Sequence, residues 1–175
     1  MALCLAPLLL AAGTVPPESA APAKEEVCKV EPRAARPEAT HFYSADADAR
    51  AAVDAALADA AKGQKVALIV FGADWCHDSR ALARVLTGDA FKSEFADRFA
   101  VTFIDVGKPQ TGEGRNLDQI ARFGVKRLKS TPAMIAAGPT GKAINSKKDA
   151  LSWRNADSRS EAAVLAWLRG LKTSK

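Results

Sequence analysis

From Val66 to Phe71 every residue is apolar, and the run stops at Gly72. A short stretch that is apolar at every position is the mark of a strand covered on both faces, and it predicts a strand over residues 65–71. Residues 99–106, apolar except at Thr102 and Asp105, predict a second central strand. Between the two, the period lengthens. Ala81, Leu82, Val85 and Leu86 recur at helical spacing, which predicts a helix from just after Cys76 to about Thr87. Gly88 ends it, and Asp89 caps a further helical segment through Arg98. Phe91, Phe95 and Phe99 recur at every fourth position, as a core-facing stripe does.

The flanks are read the same way. Residues 46–62 are Ala-rich, with Val53 and Leu57 spaced for a helix that Ser44 or Asp46 caps and Gly63 stops. His41, Phe42 and Tyr43 suggest a short edge strand. Residues 107–114 form a loop, and 116–123 a short helix ended by Gly124. Residues 133–137 form a strand, 138–141 a turn and 142–145 its hairpin partner. Residues 160–171 form a last helix, with Ala163, Trp167 and Leu171 on one face. Strands alternating with helices and closing on a hairpin predict a small α/β sandwich. Its central sheet is mixed, helices lie on both faces, and a right-handed crossover joins the first parallel pair.

The first forty residues follow other rules. Residues 2–12 are apolar around Leu8, Leu9 and Leu10, and small-residue patterns follow at Ala11-Ala12-Gly13 and Ala21-Pro22-Ala23. The run is shorter than the ~20 residues a membrane span requires and matches the core of a secretory signal peptide. No Lys or Arg precedes it, as a start upstream of Met1 would explain. Pro16, Pro17, Pro22, Pro32 and Pro37 break any period through residue 40. The expected organisation is a signal peptide over 1–23, a disordered linker over 24–39 and a folded domain over 40–175. Neither Cys4 nor Cys28 follows a lipoprotein-like triplet.

Composition narrows the chemistry. The chain has 175 residues, 48% of them hydrophobic, enough for one packed domain plus a tail. The net charge of +5 is modest, and no basic stripe interleaved with aromatics points to nucleic acid. With only the histidines His41 and His77 and the cysteines Cys4, Cys28 and Cys76, zinc spacing is missing, so neither a metal nor a cofactor is expected. Cys76 is the informative residue. It stands where an apolar strand gives way to a helix, and unpaired amides and the helix dipole favour a thiolate there. Ser79, one turn on, can offer its hydroxyl to that sulfur. His77 can act as acid or base or add positive charge, while Asp74 and Asp78 oppose ionisation. Each feature has a plainer reading: an inert cysteine, an exposed turn histidine, and an aspartate that steadies the helix start.

Order and motif together resemble the thioredoxin superfamily over about residues 40–175. The string Phe71-Gly72-Ala73-Asp74-Trp75-Cys76 resembles the strand end and Trp-Cys of that active site, and Cys76-His77-Asp78-Ser79 occupies its four-residue redox loop. Phe123-Gly124-Val125 resembles the segment after the third helix, and Thr131-Pro132 before a strand resembles the cis-proline turn. The string Trp-Cys-His-Asp-Ser-Arg, with Trp153-Arg154-Asn155, is similar to a group of bacterial exported thioredoxin-like proteins, which implies a periplasmic location.

The resemblance implies a thioredoxin-like three-layer sandwich. It assigns Cys76, Ser79 and His77 to the reacting loop and Trp75, Thr131 and Pro132 to substrate binding, where a client peptide could pair in extended form. Two departures point one way. Ser79 replaces the second cysteine of the dithiol loop, and Val70 replaces the buried acid that serves that cysteine. The implied function is monothiol exchange, in which Cys76 forms mixed disulfides with protein or low-molecular-weight thiols. Glutathione, or Cys28 across roughly 40 Å of linker, could release them. The alternatives are a client-binding module without turnover and a redox-inactive scaffold. Expected partners are protein thiols or disulfides and glutathione, with no nucleic acid, no membrane span and a monomeric chain. Arg122, Lys126, Arg127 and Lys129 approach the Thr131-Pro132 turn, either steering acidic clients or simply solvated.

Overall fold

A computed structural model describes residues 40–172. These belong to one unit, Ala39–Lys175. The expected leader and linker, with Cys4 and Cys28, lie outside the described residues.

The chain enters α1 (Ala49–Gly63) and continues through β1 (Val66–Gly72), α2 (His77–Thr87), α3 (Asp89–Phe95) and β2 (Phe99–Asp105). A small hairpin follows, β3 (Gly107–Lys108) and β4 (Glu113–Gly114), around a 3-10 turn at Pro109–Thr111. Then come α4 (Leu117–Ala121), β5 (Ala133–Ala137), α5 (Lys147–Leu151), a 3-10 segment at Ser152–Ser158 and α6 (Glu161–Gly170). The main sheet has the order β2-β1-β5. β1 is its centre, parallel to β2 and antiparallel to β5, so the sheet is mixed.

β1 is buried along its whole length, and its two faces feed two cores. Val66, Leu68 and Val70 face Leu82, Leu86, Phe91, Phe95 and Trp153, on the side of α2, α3 and α6. Ala67, Ile69 and Phe71 face Val53, Ala56 and Ala60 of α1 and Ile120 of α4. The period-two alternation of a strand thus sorts one apolar run into two layers. Burying both faces makes β1 the rigid platform from which the site projects. The phenylalanine stripe packs as expected, with Phe91, Phe95 and Phe99 in mutual ring contact.

Several local expectations are corrected. The cap of α1 is Asp48, whose side chain accepts from the Ala51 amide, and the helix ends at Gln64 in left-handed geometry, one residue past Gly63. Residues 41–43 are not a strand, because the Phe42 and Tyr43 amides donate to the Asp74 carboxylate instead of to a neighbouring strand. Residues 142–145 contribute only one bridge, Ala137 to Ala143. Beyond it the Asn145 side chain replaces a strand, accepting from the Ala136 amide and donating to the Met134 carbonyl, each at 2.9 Å. The expected loop at 107–114 contains the β3–β4 hairpin. α6 buries Val164, Leu165 and Leu168, while on the face of Ala163, Trp167 and Leu171 the first is exposed and the other two pack half-buried against the core. Trp167 is half-buried and meets Trp153 edge-on at 4.9 Å. α5 and the 3-10 segment were not expected. Their short apolar content falls below any helical period.

Candidate active site

Cys76 is the N-cap of α2, in extended geometry at the end of the bend that leaves β1. Its amide donates to the Ala73 carbonyl at 3.1 Å, closing a tight turn, and its own carbonyl accepts the Arg80 amide of the first helical turn. The residue is 6% exposed. Its Sγ–H donates to the carbonyl oxygen of Thr131 at 3.6 Å. The Thr131–Pro132 peptide is cis, and Thr131 and Pro132 are both buried directly before β5. Since β5 pairs with β1, the sheet brings the turn and the thiol to the same end. Among the described residues Cys76 is a free cysteine.

Trp75 is the one exposed large hydrophobic residue among those described. Its Nε1–H donates to the Gly107 carbonyl at 3.0 Å. Gly107 adopts positive φ, and its amide is held by the buried Asp105 carboxylate at 2.8 Å. Asp105 also pairs with Arg115 Nε at 3.4 Å. The hairpin is therefore pinned from beneath, and Trp75 leans on a fixed edge beside the sulfur.

The other predicted site residues are placed differently. Ser79 is fully buried, and its hydroxyl has no hydrogen-bond partner among the described residues, so it does not reach Cys76. It lies under Gly72, where an added Cβ would sit 2.7 Å from Ser79 Oγ and 2.8 Å from the Tyr43 ring end. His77 is largely exposed, and its Nε2 pairs with Asp78 at 3.3 Å, with no hydrogen bond to the sulfur. Asp78 does more than steady the helix start. It is buried and accepts the Asp157 amide at 2.9 Å, tying the 3-10 segment to α2. Val70, at the position of the family's acid, is fully buried among apolar side chains.

Two residues of this site take roles that the sequence reading did not give them. Asp74 accepts from the amides of Phe42 and Tyr43 and pairs with His41 Nδ1 at 3.2 Å. Its carbonyl accepts from Arg80 Nη1. The incoming chain is thereby fastened two residues before the cysteine. Tyr43 runs under the loop, and its hydroxyl donates to the Ser79 carbonyl at 3.2 Å. Burial pushes this phenol well above its ordinary value, and the acidic groups Cys76, Asp74 and Asp105 around it add to the shift, so Tyr43 stays neutral. Its status as the sole tyrosine of the chain was the available signal.

Among the described residues no group of three or more His, Cys, Asp or Glu side chains could hold a metal ion, and no helix is long and apolar enough to cross a membrane. Arg122 is committed to Asp54 at 2.6 Å and to Gln119, away from the turn.

An α/β sandwich with a thiol at the start of a helix, set against a Thr-Pro turn before an antiparallel strand, defines a class of thiol-bearing sandwich proteins. Comparison with known proteins agrees. The family model described as Thioredoxin-like matches residues 48–136, from the cap of α1 into β5. The crystal structure of a disulphide isomerase from Xylella fastidiosa Temecula1 is similar at 30% identity and a TM-score of 0.66, covering 75% of this chain and 96% of that one. No curated protein matches. The chain belongs to the thioredoxin-like family.

Proposed function

We propose that this protein carries out thiol–disulfide exchange of the monothiol type, with Cys76 as the nucleophile. The observation that carries this reading is the place of its sulfur, at the N-cap of α2 and against the Thr131 carbonyl. Amides of the first helical turn lack intrahelical partners and favour negative charge at that point. Membership of the family, and likeness to a protein described as a disulphide isomerase, support the same chemistry.

The thiolate of Cys76 attacks one sulfur of a client disulfide. The client's S–S bond breaks, a Cys76–client disulfide forms, and the other client sulfur leaves as thiolate. The fourth loop position holds Ser79, whose hydroxyl cannot expel the client. Release needs a second thiol from outside the loop, and we assign it to an external thiol of the glutathione class. Its thiolate attacks the client sulfur, forms a new disulfide with the client and returns Cys76 as thiolate. Trp75 and the Thr131–Pro132 turn border the approach and orient the client disulfide.

A second reading is favoured by the 6% exposure of Cys76. A sulfur this shielded exchanges slowly with bulky partners, so the protein could hold clients at the Thr131–Pro132 surface without turning over. We place either activity outside the cytoplasm, in the periplasm, on the apolar run at residues 2–12. The mass of the mature chain from fractionated cells tests that placement.

Exchange is tested by incubating reduced protein with glutathione disulfide and mapping the adduct by peptide mass. An adduct at Cys76 is expected. Insulin reduction by dithiothreitol should be accelerated weakly, and more strongly by Ser79→Cys. An unmodified Cys76, with no gain from Ser79→Cys, would overturn the exchange reading.

A further inference from the structure

Two cavities flank the site end of the sheet, and their charge differs. One, of about 280 Å³, lies beside Trp75 and is lined by Asp105 and Glu113 against Lys108 and Arg115, two carboxylates facing two cations. The other, of about 470 Å³, runs between the Pro109–Gln110 turn and residues 126–129. Lys126, Arg127 and Lys129 line it with Leu117 and Leu128, and no carboxylate does.

The sequence around this cleft accounts for its shape. Val125 and Leu128 are buried and anchor the segment, leaving Lys126, Arg127 and Lys129 exposed. None of the three makes an ion pair or a side-chain hydrogen bond among the described residues. Nearby cations are spoken for, Arg122 by Asp54, Arg115 by Asp105 and Arg80 by the Asp74 carbonyl. The cleft also adjoins the reacting end on both sides. Pro109 follows two residues after Gly107, which holds Trp75, and Lys129 precedes Thr131 by two residues, at most about 7 Å of chain.

We propose that this cationic cleft seats an acidic segment of the client protein, with carboxylates two to four residues from the client cystine. Glu or Asp side chains meet Lys126, Arg127 and Lys129, while Leu117 and Leu128 receive the intervening apolar atoms. The proposal names the substrate class of the exchange site and rests on that activity. Each exposed charge pair is worth a few-fold at most, so three together give a preference of about tenfold.

The experiment uses the full chain and disulfide-linked peptides that differ only in flanking residues: Glu, Gln or Lys. The rate of adduct formation at Cys76 is read by quenched mass spectrometry. At low salt the Glu peptide is expected to react about tenfold faster than the Gln peptide, and the Lys peptide more slowly still. High salt should compress the difference. The triple variant Lys126→Gln, Arg127→Gln, Lys129→Gln should erase it while leaving the rate with neutral hydroxyethyl disulfide unchanged. A control with the same loss of charge elsewhere, Lys62→Gln, Arg84→Gln, Lys92→Gln, should keep it. Equal rates for the Glu and Lys peptides, or a preference that survives the first triple variant, would overturn the proposal. So would a defect confined to glutathione disulfide, which would assign the cleft to a small thiol. Silence toward every disulfide would sink the exchange activity instead. Docking is then read separately, from the anisotropy of a labelled Glu peptide carrying Ser for Cys, and unchanged binding in the triple variant would overturn it.

Discussion

Cys76 and Thr131 are 55 positions apart in sequence, yet the Cys76 Sγ–H meets the Thr131 carbonyl at 3.6 Å. The contact exists because β1 and β5 are antiparallel neighbours, with Phe71 opposite Ala133. The strand that delivers the thiol and the strand that receives the turn therefore end side by side.

A sulfhydryl is a weak donor, and a hydroxyl in its place faces the same carbonyl. Cys76→Ser is thus expected to change unfolding free energy by about 1 kcal/mol or less. The same variant should form no adduct at residue 76 with glutathione disulfide. Urea titration and peptide mapping check the two halves, and an unfolded variant would show that the thiol is structural.

Gly72 leaves the room that Ser79 and Tyr43 occupy. A methyl group there meets Ser79 Oγ at 2.7 Å and the Tyr43 Cζ and hydroxyl oxygen at 2.8 Å, all inside contact distance. Both obstructing groups are buried. Gly72→Ala should cost about 1–3 kcal/mol, the usual penalty for overpacking. A denaturation midpoint unchanged from wild type would contradict this geometry.

Tyr43 supplies a pH dependence. In the unfolded chain it ionises near 10.0, and burial pushes it higher in the folded state. Above that pH the folded state binds more protons than the unfolded one, so stability falls as pH rises. The slope is up to about 1.4 kcal/mol per pH unit. Below pH 10.0 the contribution is complete. Tyr43→Phe should flatten this alkaline limb. Because the chain has a single tyrosine, tyrosinate absorbance reads Tyr43 alone and should rise only on unfolding.

Asp74 fastens residues 41–43 to the loop through two amides and one imidazole. Asp74→Ala leaves the Phe42 and Tyr43 amides without these acceptors and should cost about 1–3 kcal/mol. Hydrogen exchange at those two amides is expected to accelerate more than at the centre of β1. Uniform protection would mean that the segment is held by packing alone.

Much of this was legible in the chain because it is local. A run such as Val66 to Phe71 admits few structures, and the position of Cys76 between it and the Leu82–Leu86 pattern follows from the same periods. The Thr131-Pro132 pair was legible as a motif. Ser79 was legible as a missing cysteine, though the direction of its hydroxyl was not. Tyr43 and Asp74 escaped because their roles depend on partners about thirty residues away, where no period extends.

By itself, the sequence determined the three strands of the main sheet and the helices α1 to α4 and α6, that one thiol stands at a strand-to-helix turn, and that the loop lacks a second. Those outcomes follow from backbone propensity and residue identity, which act over a few positions. Tertiary structure alone decided that the sulfur is shielded against a carbonyl, that Ser79 turns toward Gly72 and Tyr43, and that three cations share a cleft without a carboxylate. Such placements arise when distant segments compete for the same buried space, a competition settled only once the sheet has brought them together.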